Sequence, residues 1–143
     1  MTRLTRRYKF AASHRLDSDR YSPEENRALY GKCNNPFGHG HDYTLEVSVR
    51  GPIDPVLGQV VNVAALDRLV RRQVIDEFDH RYLNVDVREF ERVVPTSENI
   101  LQVIEGRLRA NWQTAFPNGG PDLESIRLRE TARNSFEWKA IKQ

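Results

Sequence analysis

Apolar and polar residues alternate along two segments of the chain, and this alternation predicts two half-buried β-strands. In the first segment Leu4, Tyr8, Phe10 and Ala12 share one side, although Arg6 interrupts it. In the second segment every other residue from 43 to 49 is apolar. We expect each strand to bury one face and to leave the other face polar.

Two stripes of apolar residues at helical spacing follow these strands. The first stripe runs from Leu66 to Phe78 in steps of four, behind a candidate N-cap at Asn62. The second runs from Ile100 to Trp112, behind Pro95 and Thr96. Each pattern predicts a helix with one apolar side packed on a sheet.

The C-terminal part of the chain returns to strand periodicity. Ile126, Leu128 and Glu130 share one predicted strand face, and residues 136–140 predict a last strand after a turn near Asn134. The order is strands, helix, helix, strands. It predicts an α+β fold, with an antiparallel sheet and two helices on one face, over a single domain spanning residues 1–143.

Composition limits the classes of function. A chain of 143 residues with 38% hydrophobic content can bury one core, and a net charge of +2 does not favour nucleic acid as a partner. No apolar run is long enough to span a membrane, and the first ten residues lack the apolar centre of a secretory signal. One cysteine cannot form an internal disulfide. These features favour a cytoplasmic protein without membrane or nucleic-acid partners.

The segment GKCNNPFGHGHDY, residues 31–43, concentrates the reactive side chains of the chain. His39 and His41 are two residues apart, so on a strand they point to one side about 6.5 Å apart. His14 has the parity of the apolar side of the first strand. Three neutral histidines with an open fourth position are typical of catalytic zinc, and we predict such a site with nitrogens at about 2.0 to 2.1 Å from the metal.

Cys33 has three possible roles in this segment. As a fourth ligand it would close the zinc site and make it structural, and as a free thiol it would act as a base or nucleophile. It could also be a packed small side chain without either role. The polar neighbours Lys32, Asn34 and Asn35 argue against the third possibility.

Five motifs in order resemble those of the 6-pyruvoyltetrahydropterin synthase family, which is related to the 6-carboxytetrahydropterin synthases. They are FAASHRL, CNNPFGHGHDY, FDHRYLNVDV, PTSEN and RETARNS, and together they cover nearly the whole chain. Five residues separate Cys33 from His39, as in the pyruvoyl enzymes of animals. In the carboxy branch three residues usually stand there.

The resemblance implies the tunnelling fold, of order ββααββ. In this family the sheets of three subunits close into a barrel, and two trimers stack as a homo-hexamer with active sites between subunits. Because pairing between subunits removes exposed strand edges, this assembly suits a short sheet.

The resemblance also implies a role for each matching residue. His14, His39 and His41 match the zinc ligands, Cys33 the catalytic thiol, Asp79 and His80 the dyad that assists it, Glu130 the pterin anchor, and Thr96, Ser97 and Glu98 a segment of the pterin pocket. Cys33 is then expected beyond bonding distance of the zinc. Many relatives have threonine at the position of Ser97. This difference affects a contact in the pterin pocket but not the residues that carry out the reaction.

The implied activity is that of a zinc-dependent lyase. It converts 7,8-dihydroneopterin triphosphate to 6-pyruvoyltetrahydropterin and releases triphosphate, in the synthesis of tetrahydrobiopterin. Two alternatives stay open: a 6-carboxytetrahydropterin synthase that acts on the same substrate, and a binding module in which Cys33 and the histidines close a structural zinc site.

Overall fold

The computed structural model describes residues 1–141, and its fold is organised around one five-stranded sheet. The strands are β1 (Thr2–His14), β2 (His39–Gly51), β3 (Arg81–Tyr82), β4 (Asp122–Arg129) and β5 (Ser135–Lys139), in the spatial order β3-β1-β2-β4-β5. Antiparallel pairing joins β1 to β2, β2 to β4 and β4 to β5. The β1–β2 ladder is continuous from the Thr2–Gly51 pair to the His14–His39 pair.

The sequence predicted an antiparallel sheet, and this prediction is wrong for one strand, because β3 runs parallel to β1. Ala12 pairs with Arg81 and Ser13 with Tyr82. A strand of two residues is too short to produce an alternating pattern, so sequence periodicity gave no sign of it. The α+β class is confirmed, with a mixed rather than purely antiparallel sheet.

The predicted alternation on β1 and β2 is confirmed. Tyr8, Phe10 and Ala12 are buried on β1, and the apolar residues of the segment 43–49 are buried on β2. Ile126 and Leu128 of β4 belong to the same core. Glu130 continues this side of the chain just beyond the end of β4, where its N–H donates to the Asn134 carbonyl at 3.1 Å.

The helices, apart from the first, contribute buried apolar residues to the same core. They are α1 (Pro23–Tyr30), α2 (Val63–Val70), α3 (Asp76–Phe78), α4 (Leu83–Asp86) and α5 (Ser97–Ala115). A π-helical turn, Arg71–Ile75, joins α2 to α3, and single 3-10 turns lie at Gly31–Asn34 and Arg88–Glu91. Within residues 1–141, no helix combines the length and the apolar character that a bilayer crossing requires.

Both predicted helix starts are confirmed. The Asn62 side chain accepts a hydrogen bond from the Ala65 N–H at 3.1 Å, and Thr96 accepts one from the Asn99 N–H at 3.2 Å. These bonds satisfy N–H groups that have no partner within the helix. The residue before Thr96, Pro95, lies beside the end of β1, because its carbonyl is 2.8 Å from His14 Nδ1.

Arg6, the residue that interrupts the apolar side of β1, pairs with α2. Its guanidinium donates two hydrogen bonds to the Asp67 carboxylate at 3.0 and 2.8 Å, and the Tyr8 hydroxyl donates to the same carboxylate at 2.7 Å. Arg6 lowers the pKa of Asp67 from its ordinary value. The charge on the apolar face therefore links the sheet to the helix layer.

Candidate active site

The three histidines of β1 and β2 lie together at one end of the long ladder. His14 is opposite His39 in the register, and His41 is two residues further along β2. The ring centroids of His39 and His41 are 4.7 Å apart, and those of His14 and His41 are 5.1 Å apart. The predicted common face is confirmed, because the strand stays regular through Gly40.

His14 and His41 each have a buried ring nitrogen without a hydrogen-bond partner in the described part of the chain. His14 is 0% exposed, and its Nδ1 lies 2.8 Å from the Pro95 carbonyl, which makes Nδ1 the donor. The Nε2 atoms of His14 and His41 are buried and have no hydrogen bond among residues 1–141. Burial lowers the pKa of both rings, so the neutral form that binds metals is favoured.

The donor atoms of His14, Cys33 and His41 all lie within 4.8 Å of one another. Two imidazole nitrogens and a sulfur form a donor set that suits zinc, and the orphaned Nε2 atoms need a partner of this kind. The group could bind a metal ion. His39, a predicted ligand, is exposed and lies outside this compact group, although its ring contacts that of His41.

Cys33 lies on the 3-10 turn and is half-buried. Burial raises the pKa of its thiol, and the charge of Glu130 adds to this effect. The metal-free chain therefore favours the neutral thiol, whereas a base must be a thiolate. A positive charge near the sulfur is needed for that role.

Asn34 fixes the turn that carries Cys33. Its amide group donates to the Leu16 carbonyl at 2.7 Å and to the Asp17 carboxylate at 2.9 Å. The Leu16 N–H donates to the Cys33 carbonyl at 2.7 Å. This clamp holds the turn against the chain that leaves β1, immediately after His14.

Glu130 connects the histidine group to the start of α5. One oxygen of its carboxylate accepts a hydrogen bond from the Ser97 hydroxyl, and the other lies 4.0 Å from His41 Nε2. Ser97 is buried and Thr96 caps the helix, whereas Glu98 is exposed in the first turn. Because Pro95 also binds His14, this segment contacts both the histidines and the carboxylate.

Asp79 and His80 form a separate unit at the edge of β1. The Ala11 N–H donates to Asp79 Oδ1 at 2.9 Å, and the His80 N–H donates to the Ala11 carbonyl at 2.6 Å. His80 has a φ of 59°, and its exposed ring holds Nδ1 3.1 Å from Asp79 Oδ2. The bond from Ala11 is the main reason that the pKa of Asp79 is lowered.

Among residues 1–141, no hydrogen bond or ion pair joins the dyad to the thiol. His80 lines an open cleft with Ser13, Gly40 and Asp42, and Cys33 is not among its lining residues within positions 1–141. The ring of His80 is accessible to a neighbouring molecule. Sequence reasoning also missed the roles of Asn34 and Pro95, although both stand next to residues that it singled out.

A His-Cys-His group beside a half-buried carboxylate, on the sheet of an α+β fold, forms a candidate metal site, and comparison with known proteins gives the family. Residues 3–140 match the family model described as 6-pyruvoyl tetrahydropterin synthase. The chain belongs to this family.

The individual relatives agree with the family model. The chain is 45% identical over 136 residues to the 6-pyruvoyl tetrahydrobiopterin synthase of Poecilia reticulata, covering 95% of this chain and 88% of the relative. The human protein of the same name is 42% identical over 136 residues, with 95% and 90% coverage. The structure of Caenorhabditis elegans 6-pyruvoyl tetrahydropterin synthase superposes with a TM-score of 0.86 at 36% identity, covering 98% and 96% of the two chains. The predictions of the family and of an enzyme of this class are confirmed.

Proposed function

We propose that this chain is a zinc-dependent lyase that converts 7,8-dihydroneopterin triphosphate to 6-pyruvoyltetrahydropterin and triphosphate. The observation that carries the proposal is the His14, Cys33 and His41 group beside Glu130. It occurs in a chain that is 40 to 45% identical to proteins named 6-pyruvoyl tetrahydrobiopterin synthase. The conversion is an internal redox reaction, because the side chain is oxidised while the dihydropterin ring is reduced.

We propose His14, His39 and His41 as the zinc ligands. The two orphaned Nε2 atoms and the contact of the His39 ring with His41 support this set. Bound zinc would supply a Lewis acid for the oxygens of the substrate side chain. The Pro95 carbonyl fixes the tautomer of His14 that leaves Nε2 free to bind.

Cys33 is assigned as the base that removes a proton from carbon, assisted by Asp79 and His80. Asp79 orients the His80 ring, and a protonated His80 near the sulfur would offset the burial that raises the pKa of the thiol. Since no hydrogen bond or ion pair joins the dyad to the thiol among residues 1–141, we propose that a neighbouring copy supplies the dyad. The exposure of the His80 side chain supports this arrangement.

Glu130 is assigned as the anchor of the pterin ring, within a pocket completed by Thr96, Ser97 and Glu98. A pterin offers a ring N–H and an amino group side by side, and a carboxylate can accept both. The bond from Ser97 fixes the orientation of the Glu130 carboxylate. Glu98 is exposed in the isolated chain, so its contact with the substrate also depends on the assembly.

The assembly that we propose is a homo-hexamer, a dimer of trimers whose sheets close a barrel, in the cytoplasm. The sheet ends in β3 on one side and β5 on the other, and within residues 1–141 no further strand pairs with either edge. Pairing between copies would satisfy their backbone groups. Sedimentation should give a trimer-based particle, and a stable monomer at micromolar concentration would contradict this.

Two other functions are favoured by specific observations. The 6-carboxy-5,6,7,8-tetrahydropterin synthase of Rickettsia conorii is 28% identical over 146 residues, covering 92% of this chain and 95% of the relative. The closeness of Cys33 to His14 and His41 suits a closed structural zinc site. Treatment with a chelator distinguishes this second alternative from the lyase. A protein with a structural zinc site unfolds without its metal, whereas an enzyme with a catalytic site stays folded and loses its activity.

The deciding experiment is to incubate the purified, zinc-loaded protein with 7,8-dihydroneopterin triphosphate and to identify the product by mass spectrometry. We expect 6-pyruvoyltetrahydropterin and triphosphate, and no conversion after treatment with chelator. Heat-treated protein is the control for spontaneous breakdown of the substrate. A carboxy product would support the first alternative, and the absence of any product with a fully loaded protein would refute the lyase.

A further inference from the structure

Tyr43 lies on β2 two residues after His41, on the same face of the sheet, and is 1% exposed. Its ring stacks on Phe10 at a centroid distance of 4.9 Å and meets the ring of His41 at 5.7 Å. The hydroxyl is also buried, yet it has no hydrogen-bond partner among residues 1–141. None of the roles assigned above uses this group.

A buried hydroxyl without a partner is unusual, because it has lost its hydrogen bonds to water and gained none in return. Two other polar aromatic side chains that lie in or against this core do have partners. The Tyr8 hydroxyl donates to Asp67 at 2.7 Å, and the Trp112 indole N–H donates to the Pro121 carbonyl at 3.0 Å. Tyr43 is therefore an exception within its own core.

The surroundings of the Tyr43 hydroxyl belong to the candidate active site. The ring of Tyr43 contacts that of His41 at a centroid distance of 5.7 Å, and His41 Nε2 lies 4.0 Å from the Glu130 carboxylate. A phenol is neutral at pH 7, so its hydroxyl can donate or accept a hydrogen bond. The other orphaned atoms in this part of the core are the Nε2 atoms of His14 and His41. All three unpaired groups are on one side of the β1–β2 ladder, near its His14–His39 end.

We propose that Tyr43 contacts the substrate, and that its hydroxyl donates a hydrogen bond to an oxygen of the pterin side chain. This inference rests on the proposed function, because it takes a pterin with an oxygenated side chain as the ligand. A neutral donor at this position stabilises negative charge that develops on the oxygen when the neighbouring carbon loses its proton. It also favours pterins with side-chain oxygens over those without them.

The test compares Tyr43→Phe with Tyr8→Phe in the full-length, zinc-loaded protein. Both changes remove one phenolic oxygen from the same sheet face, but only the hydroxyl of Tyr8 has a partner in the chain. We expect Tyr43→Phe to unfold at the wild-type temperature or above it, with kcat/KM reduced about tenfold. We expect Tyr8→Phe to unfold at a lower temperature with unchanged kcat/KM.

Binding of unreactive pterins gives a second measurement that does not depend on turnover. Tyr43→Phe should weaken the binding of neopterin about tenfold and leave the binding of 6-methylpterin unchanged, because the latter has no side-chain oxygen. Equal losses for both pterins, or no loss for either, would overturn the proposal for Tyr43. A drop in unfolding temperature as large as that of Tyr8→Phe would also overturn it, because the hydroxyl would then have a structural partner. Failure of the wild-type protein to bind either pterin would overturn the proposed function itself.

Discussion

Replacement of Glu130 by Gln tests the proposed pterin anchor with a small change in shape. The Glu130 side chain is 14% exposed, one of its oxygens accepts from Ser97, and the other lies 4.0 Å from His41 Nε2. A glutamine oxygen can still accept the bond from Ser97. The amide nitrogen then stands where a pterin donor needs an acceptor, so one charged hydrogen bond is lost.

A hydrogen bond to a charged group contributes about 1.5 to 3 kcal/mol, which corresponds to a loss of roughly 10- to 150-fold in pterin affinity. Quenching of pterin fluorescence on titration with the protein measures this directly. The unfolding temperature and the zinc content should stay close to those of the wild type, because the bond to Ser97 survives and Glu130 is not a proposed ligand.

Glu137→Gln is the matched control for Glu130→Gln. It removes the same charge from the neighbouring strand β5, where the side chain is exposed and pairs with Lys139 at 3.7 Å. We expect its pterin affinity to match that of the wild type. If Glu130→Gln also binds pterin with wild-type affinity, the anchor is a different residue and the assignment fails.

Three further variants test the site and its support. Cys33→Ala should retain one zinc per chain while kcat falls about 10²- to 10⁴-fold; loss of zinc would instead make the sulfur a ligand. Asn34→Ala should speed alkylation of the single cysteine by iodoacetamide, because the clamp on its turn is removed, whereas an unchanged rate would show that the clamp does not restrain the thiol. Arg107→Met should lower the free energy of unfolding by about 1 kcal/mol at pH 7, an estimate reduced for the partial exposure of Glu89. Because Arg107 lowers the pKa of Glu89, the pair stabilises the protein at pH values above the ordinary carboxyl pKa, and this contribution is lost as the pH falls through the lowered pKa. In urea unfolding, the difference in stability between wild type and Arg107→Met should therefore be smaller at pH 3 than at pH 7. An equal difference at both pH values would refute the pairing.

The central fold could be predicted from the sequence because its elements have strong periodicity. Alternation on β1 and β2 predicted both the buried face and the common side of the three histidines. The caps at Asn62 and Thr96 marked the starts of α2 and α5. In these segments the local pattern and the tertiary packing favour the same structure.

Helix α1 was missed because it lacks an apolar stripe. Asn26 is its one buried residue, and its stability depends on the cap instead. Ser22 and Glu25 bond reciprocally to each other's backbone N–H, which is a capping box followed by a proline at the first helical position. This signal was present in the sequence as S-P-E-E, and a search for caps alone would have found it.

The relation between the thiol, His39 and the dyad could not be predicted from spacing. Cys33 reaches His14 and His41 through bonds from Leu16 and Asn34 that join loops distant in the chain. His80 lies against Ala11 through its backbone N–H rather than through a motif. Tertiary contacts of this kind leave no periodic pattern in the sequence from which they could be predicted.

The position of the histidines on the last rung of the β1–β2 ladder links the site to local opening of the sheet. The ends of a ladder open more readily than its middle, and the His14–His39 pair forms one of those ends. An ion bound by side chains of both strands would oppose the separation of that pair. Binding at the site would then slow amide hydrogen exchange at Ser13 and Gly40, and it would leave the opposite end, at Thr2 and Gly51, exchanging as before.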